Sequence, residues 1–141
     1  MYLAQLNIAH AIAPMDSPVM ADFVNNTDRI NALAEKSPGF IWRYIEDEVE
    51  PASNPFNNPS LLINLSVWKD RESLFNYVYH SGHVEIFKRK KEWFKNLKGM
   101  HMVLWYINED HIPTLSEAKE RLEYLQKNGE SEYAFSFKSK Y

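Results

Sequence analysis

Two histidines three residues apart, His80 and His83, stand in the sequence Tyr79-His80-Ser81-Gly82-His83 and are the first residues here that could do chemistry. Imidazole titrates near neutrality, so either ring suits a general acid/base or a hydrogen bond to a substrate. The alternative is structural: His80 closes the preceding helix at its C-terminus and His83 packs at a turn. On one continuous helix face the pair could also hold a metal, as in the HExxH arrangement. Ser81-Gly82 stands where that motif has its glutamate and no third ligand is offered, so no metal is expected.

Other candidates lie along the same stretch and on the first strand. Asn7 is a polar residue on the first strand, either solvated or aimed into a cavity. Arg89, within Lys88-Arg89-Lys90-Lys91, offers a planar fork for a carboxylate or phosphate. It could equally pair with Glu85 or Glu92 in a solvated basic run. Trp68, Tyr79, Trp93 and Trp105 could line an apolar pocket, or serve as core or interface aromatics. Glu117 and Arg121 are better explained by helix capping and pairing, and His10, His101 and His111 show no partner pattern. No nucleophile motif, phosphate-binding glycine loop or paired-carboxylate signature is present.

Composition bounds what these residues can serve. The 141 residues are enough for a single domain with a real core, 45% hydrophobic and 25% charged. A net charge of −3 argues against nucleic-acid binding, which needs cations facing phosphates. The absence of cysteine excludes disulfides, thiolate catalysis and thiolate-held metals. The N-terminal segment has too short an apolar run for a signal peptide, and no window suits a membrane span. A cytoplasmic protein is therefore expected, with the sequons at Asn25 and Asn64 incidental.

The elements that must position the candidates follow from periodicity. Residues 2–8 read as a strand with Tyr2, Ala4, Leu6 and Ile8 on one face and Leu3, Gln5 and Asn7 on the other. Ser17-Pro18 starts a helix as N-cap and first turn, and Met20, Phe23, Val24, Thr27, Ile30 and Ala34 carry it to Lys36. Ser37-Pro38-Gly39 stops it. Residues 39–47 and 61–68 form strands with apolar residues on both faces, which fits a sheet covered on both sides. The proline- and asparagine-rich 50–60 stretch between them is a loop. Asp70 caps a helix through Tyr79, and a second helical segment is expected over 83–97. Residues 101–107 form a fourth strand.

Thr114-Leu115-Ser116-Glu117 reads as a capping box opening a helix that ends at Gly129. Leu115, Ala118, Leu122 and Leu125 make its buried stripe, with Glu117–Arg121 and Glu123–Lys127 as (i, i+4) pairs. Residues 133–138 look like a short terminal strand. The order β-α-β, β-α-β predicts an α+β fold, the split βαβ of a ferredoxin-like sheet with an extra C-terminal helix and strand. A second copy would be the simplest cover for the remaining sheet face, so a homodimer is expected.

Several linked motifs then resemble one family. They are Trp68-Lys-Asp-Arg-Glu-Ser-Leu, His80-Ser-Gly-His83, Arg89-Lys-Lys-Glu-Trp93-Phe94, the strand around Trp105, Ile112-Pro113-Thr114 with Glu117-Ala118 and Arg121-Leu122, and Ala134-Phe135-Ser136-Phe137. Together they resemble the DUF3291 family over nearly the whole chain. The resemblance implies a dimeric α+β barrel related to antibiotic-biosynthesis monooxygenases and haem-degrading enzymes. It implies one pocket per subunit, between the sheet and the helices after strands one and three. There a cofactor-independent oxygenase or isomerase would act on an aromatic or polyketide-like compound. Asn7, His80 and His83 would be catalytic, with Trp68, Tyr79, Arg89, Trp93 and Trp105 around the substrate. A ligand-binding homodimer without turnover is the alternative. Haem-degrading relatives use a first-strand asparagine, a helix tryptophan and a ligating histidine. Asn7 fits the first, but the other two positions fall near Tyr77 and Phe87, so no cofactor is expected, with haem the one exception that a shifted histidine would allow.

Overall fold

The computed structural model describes residues 1–14, 16–44, 61–80, 88–89, 92–95, 101–137, 139 and 141, with the backbone alone at His80. In chain order the elements are β1 (Tyr2–His10), a 3-10 turn (Pro18–Met20), α1 (Ala21–Lys36), β2 (Phe40–Arg43), β3 (Leu61–Trp68), α2 (Arg71–His80), β4 (Met102–Ile107) and α3 (Leu115–Asn128). The strands form a four-stranded antiparallel sheet in the order β2-β3-β1-β4, the ferredoxin-like arrangement expected from the split βαβ order. Among the described residues no helix is long and apolar enough to cross a membrane.

Strand periodicity sorts the core into two layers. Leu3 on β1, Trp68 on β3 and Leu104 on β4 are buried against Ala34 of α1 and Leu74 and Tyr77 of α2. Their neighbours Ala4, Leu6, Leu65, Val67, Val103 and Trp105 point to the opposite face, where Leu115, Ala118, Leu122 and Leu125 of α3 pack on them. That face therefore does not need the second copy expected as its cover, because α3 of the same chain lies on it.

Helix starts differ from expectation where a side chain found a better partner. Ser17 does not cap: its hydroxyl donates to the Pro14 carbonyl at 2.5 Å, and a 3-10 turn leads into α1. Asp70 does cap α2, its Oδ1 accepting from the Ser73 amide at 2.8 Å and hydroxyl at 2.7 Å. At α3, Thr114 Oγ1 accepts from the Glu117 amide at 3.1 Å. The Glu117 carboxylate does not return to the cap, however, because Trp105 and His111 hold it. Arg121 correspondingly donates to the Tyr133 carbonyl at 2.8 Å and lies over its ring, while Lys119 and Glu123 form the helix's ion pair at 3.7 Å.

Two expected elements differ from their periodicity among the described residues. The helix proposed over 83–97 falls partly outside the described residues. Where it is described, Lys88 is helical, but Phe94 forms an antiparallel bridge with Ala11, with Ile12 N–H bonded to Trp93 O and Lys95 N–H to His10 O. Phe23 packs against both Trp93 and Phe94. The terminal strand over 133–138 reduces to one bridge, Phe135 to Leu104 on the free edge of β4. Arg71 anchors the chain beyond it through the Ser136 and Ser139 carbonyls at 2.9 and 2.8 Å.

Candidate active site

The polar side chains that period two places on the α1/α2 face of the sheet form one strip. Gln5 lies between the two central strands and is 7% exposed. Its Nε2 donates to Asn64 Oδ1 at 2.7 Å and to Ser66 Oγ at 2.9 Å. Ser66 Oγ accepts a second bond, from Trp68 Nε1 at 2.9 Å. A buried amide, hydroxyl and indole N–H thus satisfy one another, and buried polar groups are costly unless they do.

The inner end of the strip is closed by aromatics. Trp68 is stacked on Tyr77 at 5.1 Å and meets the edge of Phe40 at 5.4 Å. The Tyr77 hydroxyl donates to the Ile30 carbonyl of α1 at 3.2 Å. Burial pushes its pKa up to about 12, against the opposing charge of Arg43. Arg43 itself is held by Glu35 of α1 at 2.8 Å.

The outer end is open. Asn7 is the direct cross-strand partner of Asn64, and both are exposed. Opposed residues share a face with Cβ atoms about 5 Å apart, so the amides form a pair. Asn64 has its Oδ1 committed to Gln5, leaving its N–H groups for an incoming acceptor. The pair can therefore bind an oxygen that carries or develops negative charge.

Of the residues singled out from the sequence, the fold brings Asn7 and Trp68 to this strip. Four residues of strand separate their positions, about 13 Å, so Trp68 is the buried floor and Asn7 the rim. His80 ends α2, while Ser81, Gly82 and His83 lie outside the described residues. Tyr79 is elsewhere, half-exposed against Phe75 and Phe137. Arg89 is bound to Asp22 at 2.9 Å and to Glu92 at 2.8 Å, with its guanidinium 4.6 Å from the Trp93 ring. Trp93 is buried with Ala11, Met20 and Phe23 where β1 meets the start of α1. Trp105 faces away from Trp68, under α3. Trp105 therefore does not share a wall with Trp68, and Trp93 belongs to a separate buried cluster. Among the described residues no three histidine or carboxylate side chains converge to hold a metal ion.

Gln5, Asn64 and Ser66 were not singled out from the sequence. Their signal was present: Asn64, Ser66 and Trp68 alternate through the apolar run LLINLSVW, and only pairing with β1 shows that Gln5 and Asn7 lie opposite.

The topology and the helices over the strip define an α+β protein with a ferredoxin-like antiparallel sheet. Within that class the chain belongs to the DUF3291 family, a domain of unknown function whose model matches residues 2–141. Similar solved structures include SnoaB, a cofactor-independent oxygenase from Streptomyces nogalater, at 16% identity and a TM-score of 0.53 over 77% of this chain and 94% of that one. An asparagine-to-alanine mutant of SnoaB is 15% identical, with a TM-score of 0.53 over 79% of this chain and 97% of that one. A conserved protein from Methanosarcina mazei Go1 is 19% identical, with a TM-score of 0.57 and coverages of 77% and 94%. At these identities the likeness concerns the fold. No curated protein matches the sequence.

Proposed function

We propose that the chain acts on a small aromatic or polyketide-like compound as a cofactor-independent monooxygenase or isomerase, at the open end of the amide strip. The observation carrying this reading is the Asn7–Asn64 pair, backed by the buried Gln5–Ser66–Trp68 hydrogen bonds. A substrate with an acidic C–H beside a carbonyl or phenol places its oxygen on the amide N–H groups, which favour the enolate over the neutral form. His80 or His83 takes the proton.

The enolate then reduces dioxygen by one electron. Recombination at carbon gives a hydroperoxide, and loss of water leaves a new carbonyl. Overall, CH2 and O2 become C=O and H2O, so the substrate supplies every electron. Without dioxygen the same enolate regains its proton at another carbon, which is isomerisation. The likeness in fold to a cofactor-independent oxygenase supports this reading.

Oxygen uptake with a hydroxyanthrone, an easily deprotonated polycyclic ketone, tests it. The chain should accelerate uptake over buffer. Asn7→Ala and Asn64→Ala should each cost roughly 10²-fold, the usual loss for one oxyanion donor, and His80→Ala or His83→Ala should flatten the pH dependence. Binding without turnover, indifferent to all four changes, replaces the enzyme by a ligand-binding protein. A homodimer is part of the proposal, and a monomeric mass by light scattering at micromolar concentration removes that part.

A further inference from the structure

On the opposite sheet face, a second constellation lies where β4 passes into α3. Glu117 is the third residue of α3, and both of its carboxylate oxygens are committed. Oε2 accepts from Trp105 Nε1 at 2.8 Å, and Oε1 faces His111 Nε2 at 2.6 Å. Trp105 is fully buried, so the carboxylate is fixed from below, and the first turn of a helix favours negative charge there. The Glu117 side chain is 18% exposed and the imidazole 45%, so the anchored member is inside and its partner outside. With Nε2 on a carboxylate, that nitrogen carries the hydrogen and Nδ1 remains to accept.

His111 also borders a concavity of about 300 Å³ whose walls are Tyr2, Ile41, Trp42, Val67 and Ile112. Ile41 and Ile112 are 42% and 62% exposed, an apolar cost for which the core gives no reason. Ile41 is the extra residue of a register shift between Phe40 and Trp42, which widens the sheet edge at this point. The acidic Glu109 and Asp110 stand at the same rim, and a groove of about 590 Å³ on the far side of His111 adds Glu117, Glu120 and Arg121.

The geometry points to a second small-molecule site: a one- or two-ring neutral aromatic bearing a weakly acidic hydroxyl lies in the apolar concavity and donates that hydroxyl to His111, which Glu117 orients. Trp42 and Tyr2 place aromatic surface in its lining, which suits a planar ligand. The volume sits at the small end of ligand pockets, which limits ring number. Glu109 and Asp110 disfavour carboxylates and phosphates by like charge. Glu117 is a positioning residue, and the site is separate from the amide strip, from which the sheet divides it.

2-Naphthol is the probe, titrated into the full chain and followed by its fluorescence. Saturable one-to-one binding is expected, weakened at least tenfold in Trp42→Ala and in His111→Phe, which keeps the apolar volume and removes the acceptor. Asn7→Ala should leave it unchanged, and 2-naphthoate should bind more weakly. In Glu117→Gln the ¹⁵N shifts of His111 should report loss of the single Nε2–H tautomer, with helix content unchanged by circular dichroism. No saturable binding to the wild-type chain overturns the site. So does equal affinity in the Trp42 and His111 variants, and an unchanged tautomer in Glu117→Gln overturns the positioning role.

Discussion

Replacing Gly39 by alanine tests how the α1–β2 turn is locked to α2. Gly39 has φ of +85°, and its carbonyl accepts from Lys69 N–H at 2.7 Å, holding the turn against the start of α2. A Cβ there would lie 2.1 Å from Ser73 Oγ and 2.4 Å from Ser73 Cβ. The second of these atoms belongs to the helix framework and cannot rotate away. Left-handed backbone costs an alanine about 1–2 kcal/mol, and overpacking about 1–3 kcal/mol more. Displacing Ser73 also disturbs its bonds to Asp70, a cap worth about 1 kcal/mol. The expected loss is roughly 3–5 kcal/mol, or about 10–20 °C in Tm for a chain of this size. Gly129 supplies the control, because its φ is +79° but a Cβ there meets nothing within 4 Å. Gly129→Ala should cost only backbone strain, about 1–3 kcal/mol at its φ of 79° and ψ of −171°, a region that essentially only glycine occupies. Thermal and urea unfolding of both variants, and of Gly39→Ala with Ser73→Gly, measures the difference. No recovery in the double variant would refute the steric reasoning.

Two titrations probe the electrostatics of α2. Tyr77, pushed up to about 12 by burial, should be silent near pH 10 in absorbance at 295 nm, and Tyr77→Phe should remove a late step. A raised value favours the protonated form in the fold, so its stabilisation is full below about pH 10 and disappears as pH rises toward 12. Loss of an early step instead would refute it. Asp70 behaves oppositely, held below the usual carboxylate range first by the Ser73 hydroxyl and then by the Ser73 amide. Its contribution is present above the unfolded value of about 3.9 and lost as pH falls through the lower folded one. The Tm gap between wild type and Asp70→Ala should therefore be constant from about pH 5 to 8 and close in acid.

Strong periodicity makes the helices over Ala21–Lys36 and Leu115–Asn128 and the strand Leu61–Trp68 legible in the amino-acid sequence alone. Each buries one unambiguous stripe or apolar run, and Gly129 or Gly39 marks a real stop. Residues 92–95 and 133–137 depart from their periodicity because local pattern and tertiary partner disagree. Trp93 and Phe94 stand in a sequence of helical periodicity, yet Phe23 and the end of β1 pack on them. Glu117 occupies a capping-box position, yet the buried Trp105 indole N–H on the neighbouring strand claims its carboxylate. A hydrogen bond to a charged acceptor is the stronger kind, and burial makes an unpaired indole N–H costly. The amide strip was half legible. Asn7 stood out as polar on the first strand, whereas Asn64 acquires meaning only from the register that sets it opposite.

The position of β1 has a consequence for how the chain is made. It lies inside the sheet, between β3 and β4, although it precedes both in sequence. Its partners begin at Leu61 and Met102, so a nascent chain carries this apolar strand unpaired until Leu61–Trp68 has left the ribosome, and with one edge open until Met102–Ile107 follows. Contacts of such separation form late and slowly. During synthesis the segment Tyr2–His10 is thus a natural ligand for a chaperone that grips extended apolar peptide.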